Sequence, residues 1–230
     1  MIAIVINFSG NVGKSTVARH LLAPRLKAKV FPVESINSDG SDDEKIKGKH
    51  FAELMESLSV VDNAVVDVGS SNVEEFIKLM GKYRGSHEDF DYFVVPTVAK
   101  QKQQTDTVAT IEELSKMGVP ANKIRLVFNM VEDDENPEKA FAGIYCYHGN
   151  EKTFTLNPNA LITVNDLYGK IKNTGQSIKE IVDDKTDLKE KLKNAASPDE
   201  KVGISQQIAV KRLAAGVLEE LDSVYSTLFH

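Results

Sequence analysis

Residues 1–27 combine an apolar strand pattern, a glycine-containing loop and a helical pattern, in that order. Residues 2–8 are rich in Ile and Val, glycines follow at positions 10 and 13, and residues 15–27 have a helical pattern. Glycines in such a loop let backbone N–H groups converge on a polyphosphate, and the first turn of the helix adds unpaired N–H donors and a positive dipole end. This order of elements predicts an α/β fold with a phosphate-binding loop.

The tripeptide Gly13-Lys14-Ser15 closes this loop and predicts binding of ATP with Mg²⁺. Lys14 is expected to contact the β- and γ-phosphate oxygens as the catalytic cation, and the Ser15 hydroxyl is expected to ligate Mg²⁺. The other predicted nucleotide contacts are Ser9, Gly10, Asn11, Val12, Gly13 and Thr16. The alternative is an ordinary turn with a solvated lysine, and the strand and helix that flank the loop argue against it.

A second motif lies at residues 63–69, where an Ala- and Val-rich strand pattern leads to Asp67 and Gly69. An acidic side chain at this point lies at the carboxyl edge of a parallel sheet, where a phosphate loop also lies. Asp67 is therefore predicted to hold Mg²⁺, and the Gly69 N–H is predicted to meet the γ-phosphate. The alternative is a loop aspartate that caps a helix at Asn72.

Short β-branched segments alternate with helical patterns through the first two-thirds of the chain. The predicted strands span residues 2–8, 29–34, 63–68, 92–96, 123–131 and 159–164. The alternation predicts an α/β fold, a mostly parallel twisted sheet with helices on both faces, followed by a helical C-terminal region. A hairpin is predicted at residues 143–156 because two β-rich segments flank a short polar turn. No internal repeat is present, and one domain is expected over 1–230.

Composition and charge limit the partners that this chain can have. The formal net charge is −6, so direct DNA binding is expected to be weak or indirect. The last helical pattern carries Glu219, Glu220 and Asp222 instead of basic residues, so membrane binding is not expected. A single cysteine, Cys146, the lack of a signal-peptide pattern and the lack of an apolar run of about 20 residues predict a cytoplasmic protein.

The loop resembles the deviant phosphate loop of the ParA/MinD family, Lys-Gly-Gly-x-Gly-Lys-[Ser/Thr]. The matching residues are Gly10, Gly13, Lys14 and Ser15, and the departures are Ser9 at the signature lysine and Asn11 at the second glycine. Asp67, the strand ending at Pro96 and the segment Leu126-Val-Phe-Asn129-Met are also similar to the family. The resemblance covers residues 1–185 and leaves a helical segment at 186–230. Within the family, the chain is most like the StbB-type plasmid stability proteins of conjugative plasmids.

The resemblance implies a fold, a ligand and partners. It implies an ATPase of the P-loop NTPase fold that binds ATP and ADP with Mg²⁺, and it implies that Asn129 hydrogen-bonds the adenine edge. It also implies a nucleotide-dependent homodimer. The implied role is plasmid stability, segregation and positioning for conjugation, through a plasmid-encoded DNA-binding partner protein.

Departures from the family pattern predict slow hydrolysis. Ser9 carries no charge, whereas cationic groups stabilise the charge that develops during phosphoryl transfer. The family has paired aspartates after the second strand, and this chain has Glu34 and Ile36 there. Glu34 or Asp39 is the candidate for orienting the attacking water, and a solvated loop carboxylate is the alternative for each. A slow ATPase that a partner stimulates fits these residues.

Other functions of a phosphate loop remain open. One is a P-loop kinase or an ATP-dependent ligase of a small molecule, although the scattered arginines form no cluster over a transferred phosphate. Another is a nucleotide-bound scaffold that does not hydrolyse ATP. Ser9 and Ile36 are compatible with this function, because they replace the signature lysine and the second aspartate of the family. A GTPase is disfavoured, because the Asn/Thr-Lys-x-Asp motif has no match at a strand end.

Overall fold

The computed structural model describes residues 1–33, 44–172 and 174–229. The strands in these residues are β1 (Ile2–Val5), β2 (Lys29–Val33), β3 (Ala64–Val68), β4 (Tyr92–Thr97), β5 (Ile124–Val131) and β6 (Leu161–Thr163). They form one sheet in the order β2-β3-β1-β4-β5-β6, and each neighbouring pair is parallel. The parallel sheet and its sixth strand confirm the predicted fold class.

The helix after β1 has an unusual middle. A π-helical segment, Val17–Leu22, lies between α1 (Lys14–Thr16) and α2 (Ala23–Leu26). The Arg25 guanidinium donates to the carbonyls of His20 and Leu21 at 2.9 and 3.0 Å, so it bonds two carbonyls of the widened turn. The remaining helices are α3 (Glu44–Ser59), α4 (Val73–Lys82), α5 (Gln101–Lys116), α6 (Pro137–Ala140), α7 (Ala142–Glu151), α8 (Leu167–Ile171), α9 (Ile178–Asp183), α10 (Leu188–Asn194) and α11 (Pro198–Phe229).

The chain divides into two compact units, Met1–Val164 with Val224–His230, and Asn165–Ser223. The first unit contains the sheet and α1 to α7, and the second contains α8 to α10 and most of α11. The expected single domain over 1–230 stays a prediction. Within the described ranges, no helix combines the length and the apolar composition that crossing a bilayer requires.

Both faces of the sheet are buried. On one face, Ile4, Val66 and Phe93 belong to an apolar cluster with residues of α3, α4, α5 and α7. On the other face, Ala3 and Val5 are fully buried, and the π-helical segment and α2 contact β1 and β3. A strand covered on both faces has no solvated side, which explains the continuous apolar runs in the sequence.

The predicted hairpin at residues 143–156 is wrong, because residues 142–151 form α7. A short apolar run does not distinguish a strand from a helix, and here tertiary packing favours the helix. Ile144 is buried, and the ring of Tyr145 stacks on that of Phe128 with centroids 5.6 Å apart. The polar residues taken for a hairpin turn complete the helix, which Lys152 ends in the left-handed region at φ 49°.

The first part of the predicted helical C-terminal region is divided into two short helices, α9 and α10. Asp184 ends α9, and its carboxylate accepts hydrogen bonds from the N–H and hydroxyl of Thr186. Asp187 is the N-cap of α10. Aspartate side chains that bond nearby N–H groups compete with the helical ladder, which accounts for the break.

Candidate functional site

The carboxyl ends of β1, β3 and β4 lie next to one another, because β1 lies between β3 and β4. The chain passes from β3 on one side of β1 to β4 on the other side, and ligands bind at such a switch point in open α/β sheets. The phosphate loop, residues 8–16, follows β1. Asp67 of β3 pairs in register with Val5 of β1. The two predicted motifs therefore meet at one edge of the sheet.

Two residues with positive φ bend the phosphate loop. Gly13 is the N-cap of α1 with φ 83°, and its carbonyl accepts the first helical hydrogen bond, from the Val17 N–H at 2.9 Å. Asn11 has φ 58°. Asparagine enters the left-handed region more readily than most residues, which explains how it occupies a position where the ParA/MinD pattern has glycine.

Lys14 is held beneath the loop and is only 7% exposed. Its Nζ donates to the carbonyls of Ser9 and Asn7, at 2.6 and 3.0 Å. Burial lowers the pKa of Lys14 from 10.5 to about 8, and the negative charge of Asp67 opposes part of this decrease. The charge of Asp67 does not fully offset the cost of burying the ammonium, so an anion at the loop would stabilise the protonated lysine.

The start of the loop, residues 7 and 8, is attached to α5 and β4 by hydrogen bonds. The Asn7 side chain donates to Thr107 Oγ1 of α5 at 2.8 Å and to the Pro96 carbonyl of β4 at 2.9 Å. The Phe8 N–H donates to Thr110 Oγ1 at 3.0 Å. Since Asn7 and Thr107 are fully buried, the two bonds of Asn7 are shielded from water and fix the start of the loop.

Ser9 is buried at the start of the loop, with 2% exposure. Its N–H donates to Asn7 Oδ1 at 2.8 Å, so its backbone is held by the residue two positions earlier. The predicted contact of Ser9 with a nucleotide stays a prediction.

Gly69 and its neighbours connect β3 to the end of β2. The Gly69 N–H donates to the Val33 carbonyl at 3.2 Å, and the Asn72 side chain donates to the same oxygen at 3.1 Å. Ser70 lies beside the phosphate loop, since its Oγ is 3.4 Å from the point where Gly10 would carry a Cβ. The predicted γ-phosphate contact of Gly69 stays a prediction.

Asn129 lies directly against the phosphate loop. Its Nδ2 donates to the Val12 carbonyl at 2.9 Å, and its side chain is 2% exposed. A Cβ on Gly13 would overlap this Nδ2. The next residue, Met130, has φ 55° and is 46% exposed, with its methyl group 3.7 Å from the same Cβ position. The predicted adenine contact of Asn129 stays a prediction.

The remaining predicted residues have different placements. Ser15 is exposed and Thr16 is half-buried, both in the first turn of α1. Glu34 and Asp39, the candidates for orienting water, lie outside the described residues. The sequence did not predict the buried threonines of α5, Thr107 and Thr110, as part of the site. One signal for them exists, because the buried polar residues Gln104, Thr107 and Thr110 recur every three positions along a predicted helix.

The donor set fits a Mg²⁺-bound polyphosphate. Lys14 and the N–H groups at the start of α1 suit phosphate oxygens. The Ser15 hydroxyl and the Asp67 carboxylate are oxygen ligands, and Mg²⁺ is usually bound by one or two protein oxygens together with substrate phosphates. The site can therefore hold a nucleoside polyphosphate with its metal.

Comparisons with known proteins identify similar folds. No protein-family model and no curated protein matches the chain. Apo McdA from Cyanothece has a TM-score of 0.54 at 15% identity, over 90% of this chain and 99% of that one. An ATP complex of a Cyanothece McdA variant has a TM-score of 0.50 at 14% identity, over 90% of this chain and 96% of that one.

Two further solved structures have the same architecture. ParA of pNOB8 has a TM-score of 0.52 at 12% identity, over 98% of both chains. MinD of Aquifex aeolicus has a TM-score of 0.51 at 13% identity, over 93% of this chain and 97% of that one. The protein thus has the fold of the McdA, ParA and MinD proteins.

Proposed function

We propose that this chain is an ATP-binding switch of the ParA/MinD kind, with slow ATP hydrolysis that a partner stimulates. The observation that carries the proposal is Lys14, a buried cation beneath a glycine loop at the start of a helix, with the carboxylate of Asp67 nearby. Proteins rarely bury a lysine without full compensation. A polyphosphate would supply the missing negative charge.

The residues of the site have distinct roles in this proposal. Lys14 binds the β- and γ-phosphate oxygens, and its pKa rises when they arrive. Ser15 and Asp67 supply oxygens to Mg²⁺, and the Gly69 N–H turns from Val33 to the γ-phosphate. Mg²⁺, when bound, neutralises charge that develops on the phosphate oxygens. Residues 9–13 and Thr16 enclose the nucleotide, and Asn129 lies against the loop.

Slow hydrolysis is expected from Ser9, which stands where the ParA/MinD pattern has its signature lysine. Serine carries no charge that could stabilise phosphoryl transfer. Glu34 or Asp39 would orient the attacking water. We infer that a partner protein or a second copy of the chain completes the arrangement, so that the nucleotide state controls a homodimer.

The cellular role in this proposal is plasmid stability, with segregation and positioning for conjugation, in the cytoplasm. Its support is the resemblance of residues 1–185 to the ParA/MinD family, within which the chain is most like the StbB-type proteins, and the likeness of fold to the ParA of pNOB8. The net charge of −6 favours contact with DNA through a plasmid-encoded DNA-binding partner rather than directly. Glu219, Glu220 and Asp222 stand on the last helix in place of basic residues and disfavour membrane binding.

Light scattering with bound nucleotide tests the switch. The mass of the wild type is measured without nucleotide, with ADP and with ATP–Mg²⁺, beside Lys14→Ala and the control Lys116→Ala, which changes an exposed lysine of α5. We expect the mass to double only with ATP–Mg²⁺. The wild type and the control should both show this doubling, and Lys14→Ala should not. A monomer in every condition contradicts the dimer and favours a small-molecule kinase or ligase.

A non-hydrolysing scaffold is a second candidate, and the observation that favours it is the uncharged, buried Ser9 at the position of the signature lysine. Steady-state phosphate release separates the two candidates. Release above the Lys14→Ala background, increased by DNA with its binding partner, supports the switch. Release equal to that background, together with ATP-dependent dimerisation, supports the scaffold.

A further inference from the structure

We propose that Asn129 is a positioning residue of the phosphate loop, acting on the loop backbone rather than on the nucleobase; this rests on the proposed function. The contact joins residues 117 positions apart in sequence, since Asn129 Nδ2 donates to the Val12 carbonyl at 2.9 Å. Both side chains are buried, at 2% and 0% exposure. Water therefore does not compete for this hydrogen bond.

A bulge in β5 directs Asn129 toward the loop. Phe128 pairs with Leu161 and Val131 pairs with Thr163, so β5 uses one residue more than β6 between the two pairs. Met130 accommodates the extra residue with φ 55°, a conformation that is unfavourable in a residue other than glycine. Bulges of this kind are common next to functional sites, where they redirect a side chain.

Gly13 is required on the other side of the contact. A Cβ at this position would overlap Asn129 Nδ2, and its φ of 83° also favours glycine. The glycine thus allows the amide of Asn129 to approach the loop backbone closely. Two sequence features that looked independent, a loop glycine and an asparagine on a distant strand, are parts of one contact.

The contact determines the direction of a phosphate donor. The Val12 carbonyl and the Gly13 N–H belong to one planar trans peptide unit, so they point in opposite directions. By holding the carbonyl, Asn129 directs the Gly13 N–H away from β5. This N–H is among those at a helix start that lack an acceptor within the helix. A loop in which this peptide could rotate would present the donor only part of the time.

Ligands with and without a base test the proposal. Affinities for ATP, GTP and inorganic tripolyphosphate, all with Mg²⁺, are measured by calorimetry for the wild type, Asn129→Ala and Asn129→Asp. We expect Asn129→Ala to weaken all three ligands by a similar factor of about ten, and Asn129→Asp to weaken them further, because a carboxylate would face a carbonyl. If Asn129→Ala loses affinity for ATP but keeps its affinity for tripolyphosphate, the proposal is overturned and Asn129 contacts the base.

A thermal-unfolding cycle without nucleotide tests the contact itself. Gly13→Ala should lower the unfolding midpoint by at least about 4 °C more in the wild type than in Asn129→Ala, where the overlapping atom is gone. Equal decreases in both backgrounds overturn the contact. A wild type that binds none of the three ligands contradicts the proposed function, and the cycle then still decides whether Asn129 holds the loop.

Discussion

Replacing Lys14 with methionine should change how the free energy of unfolding depends on pH. The pKa of Lys14 is about 8 in the folded protein and 10.5 in the absence of burial. One pKa unit corresponds to about 1.4 kcal/mol, so the folded state disfavours the protonated lysine by about 3 kcal/mol. Methionine has a similar unbranched shape and no charge, and the variant lacks this penalty.

The sign and the pH window follow from the two pKa values. Below pH 8 Lys14 is protonated in both states, and the full penalty is present. Between pH 8 and 10.5 the unfolded chain binds a proton that the folded protein has released, so the stability of the wild type rises with pH. The advantage of Lys14→Met over the wild type should therefore decrease by about 3 kcal/mol across this window.

Urea unfolding of the nucleotide-free proteins at several pH values provides the measurement. The carbonyls of Asn7 and Ser9 lose a donor in the variant, which adds a difference that does not depend on pH. Only the slope with pH is therefore diagnostic. Lys189→Met, which removes an exposed lysine, is the control. The reasoning would be refuted if the difference in the free energy of unfolding between Lys14→Met and the wild type stayed constant from about pH 7 to 10.5.

Two further changes test neighbouring parts of the site. Asp67→Asn should remove most of the Mg²⁺ dependence of ATP affinity, measured by calorimetry with and without Mg²⁺. The same change should lower the pKa of Lys14 further, because the charge of Asp67 raises this pKa. Equal Mg²⁺ dependence in the variant would contradict the metal role. Thr110→Val should cost about 1–3 kcal/mol in urea unfolding, because the Phe8 N–H loses its buried acceptor, whereas Thr110→Ser should cost much less. Equal costs would show that the hydroxyl is not what matters.

The fold could be predicted from the sequence where a pattern has one explanation. The apolar strands, each followed by a helical pattern, predicted a parallel sheet because only a sheet covered on both faces accommodates them. The position of Asp67 at the edge of the phosphate loop followed from the same topology. The segment at 143–156 had two explanations, and the contacts of Ile144 and Tyr145 with the rest of the core decided for a helix.

The polar contacts around the loop could not be predicted, because they depend on side chains brought together from distant positions. Thr107 and Thr110 are ordinary residues of a helix until Asn7 and Phe8 reach them. The bulge at Met130 has no sequence signal either, because its left-handed residue is neither glycine nor asparagine. Positions of this kind become visible only when backbone angles and long-range hydrogen bonds are known.

One departure of the loop, from the general phosphate-loop pattern, has a structural explanation. Phe8 stands where the general pattern has glycine, but the positive φ angles fall on Asn11 and Gly13, so position 8 needs no conformational freedom. Phe8 instead packs against the core and donates its N–H to α5.

The residues on either side of Phe8 are also held in place. The Asn7 side chain donates to Thr107 Oγ1 at 2.8 Å, and the Ser9 N–H donates to Asn7 Oδ1 at 2.8 Å. Residues 7 and 8 therefore join the start of the phosphate loop directly to α5. A displacement of α5 would be transmitted to the loop through these hydrogen bonds, so a partner bound to α5 would be placed to influence the loop.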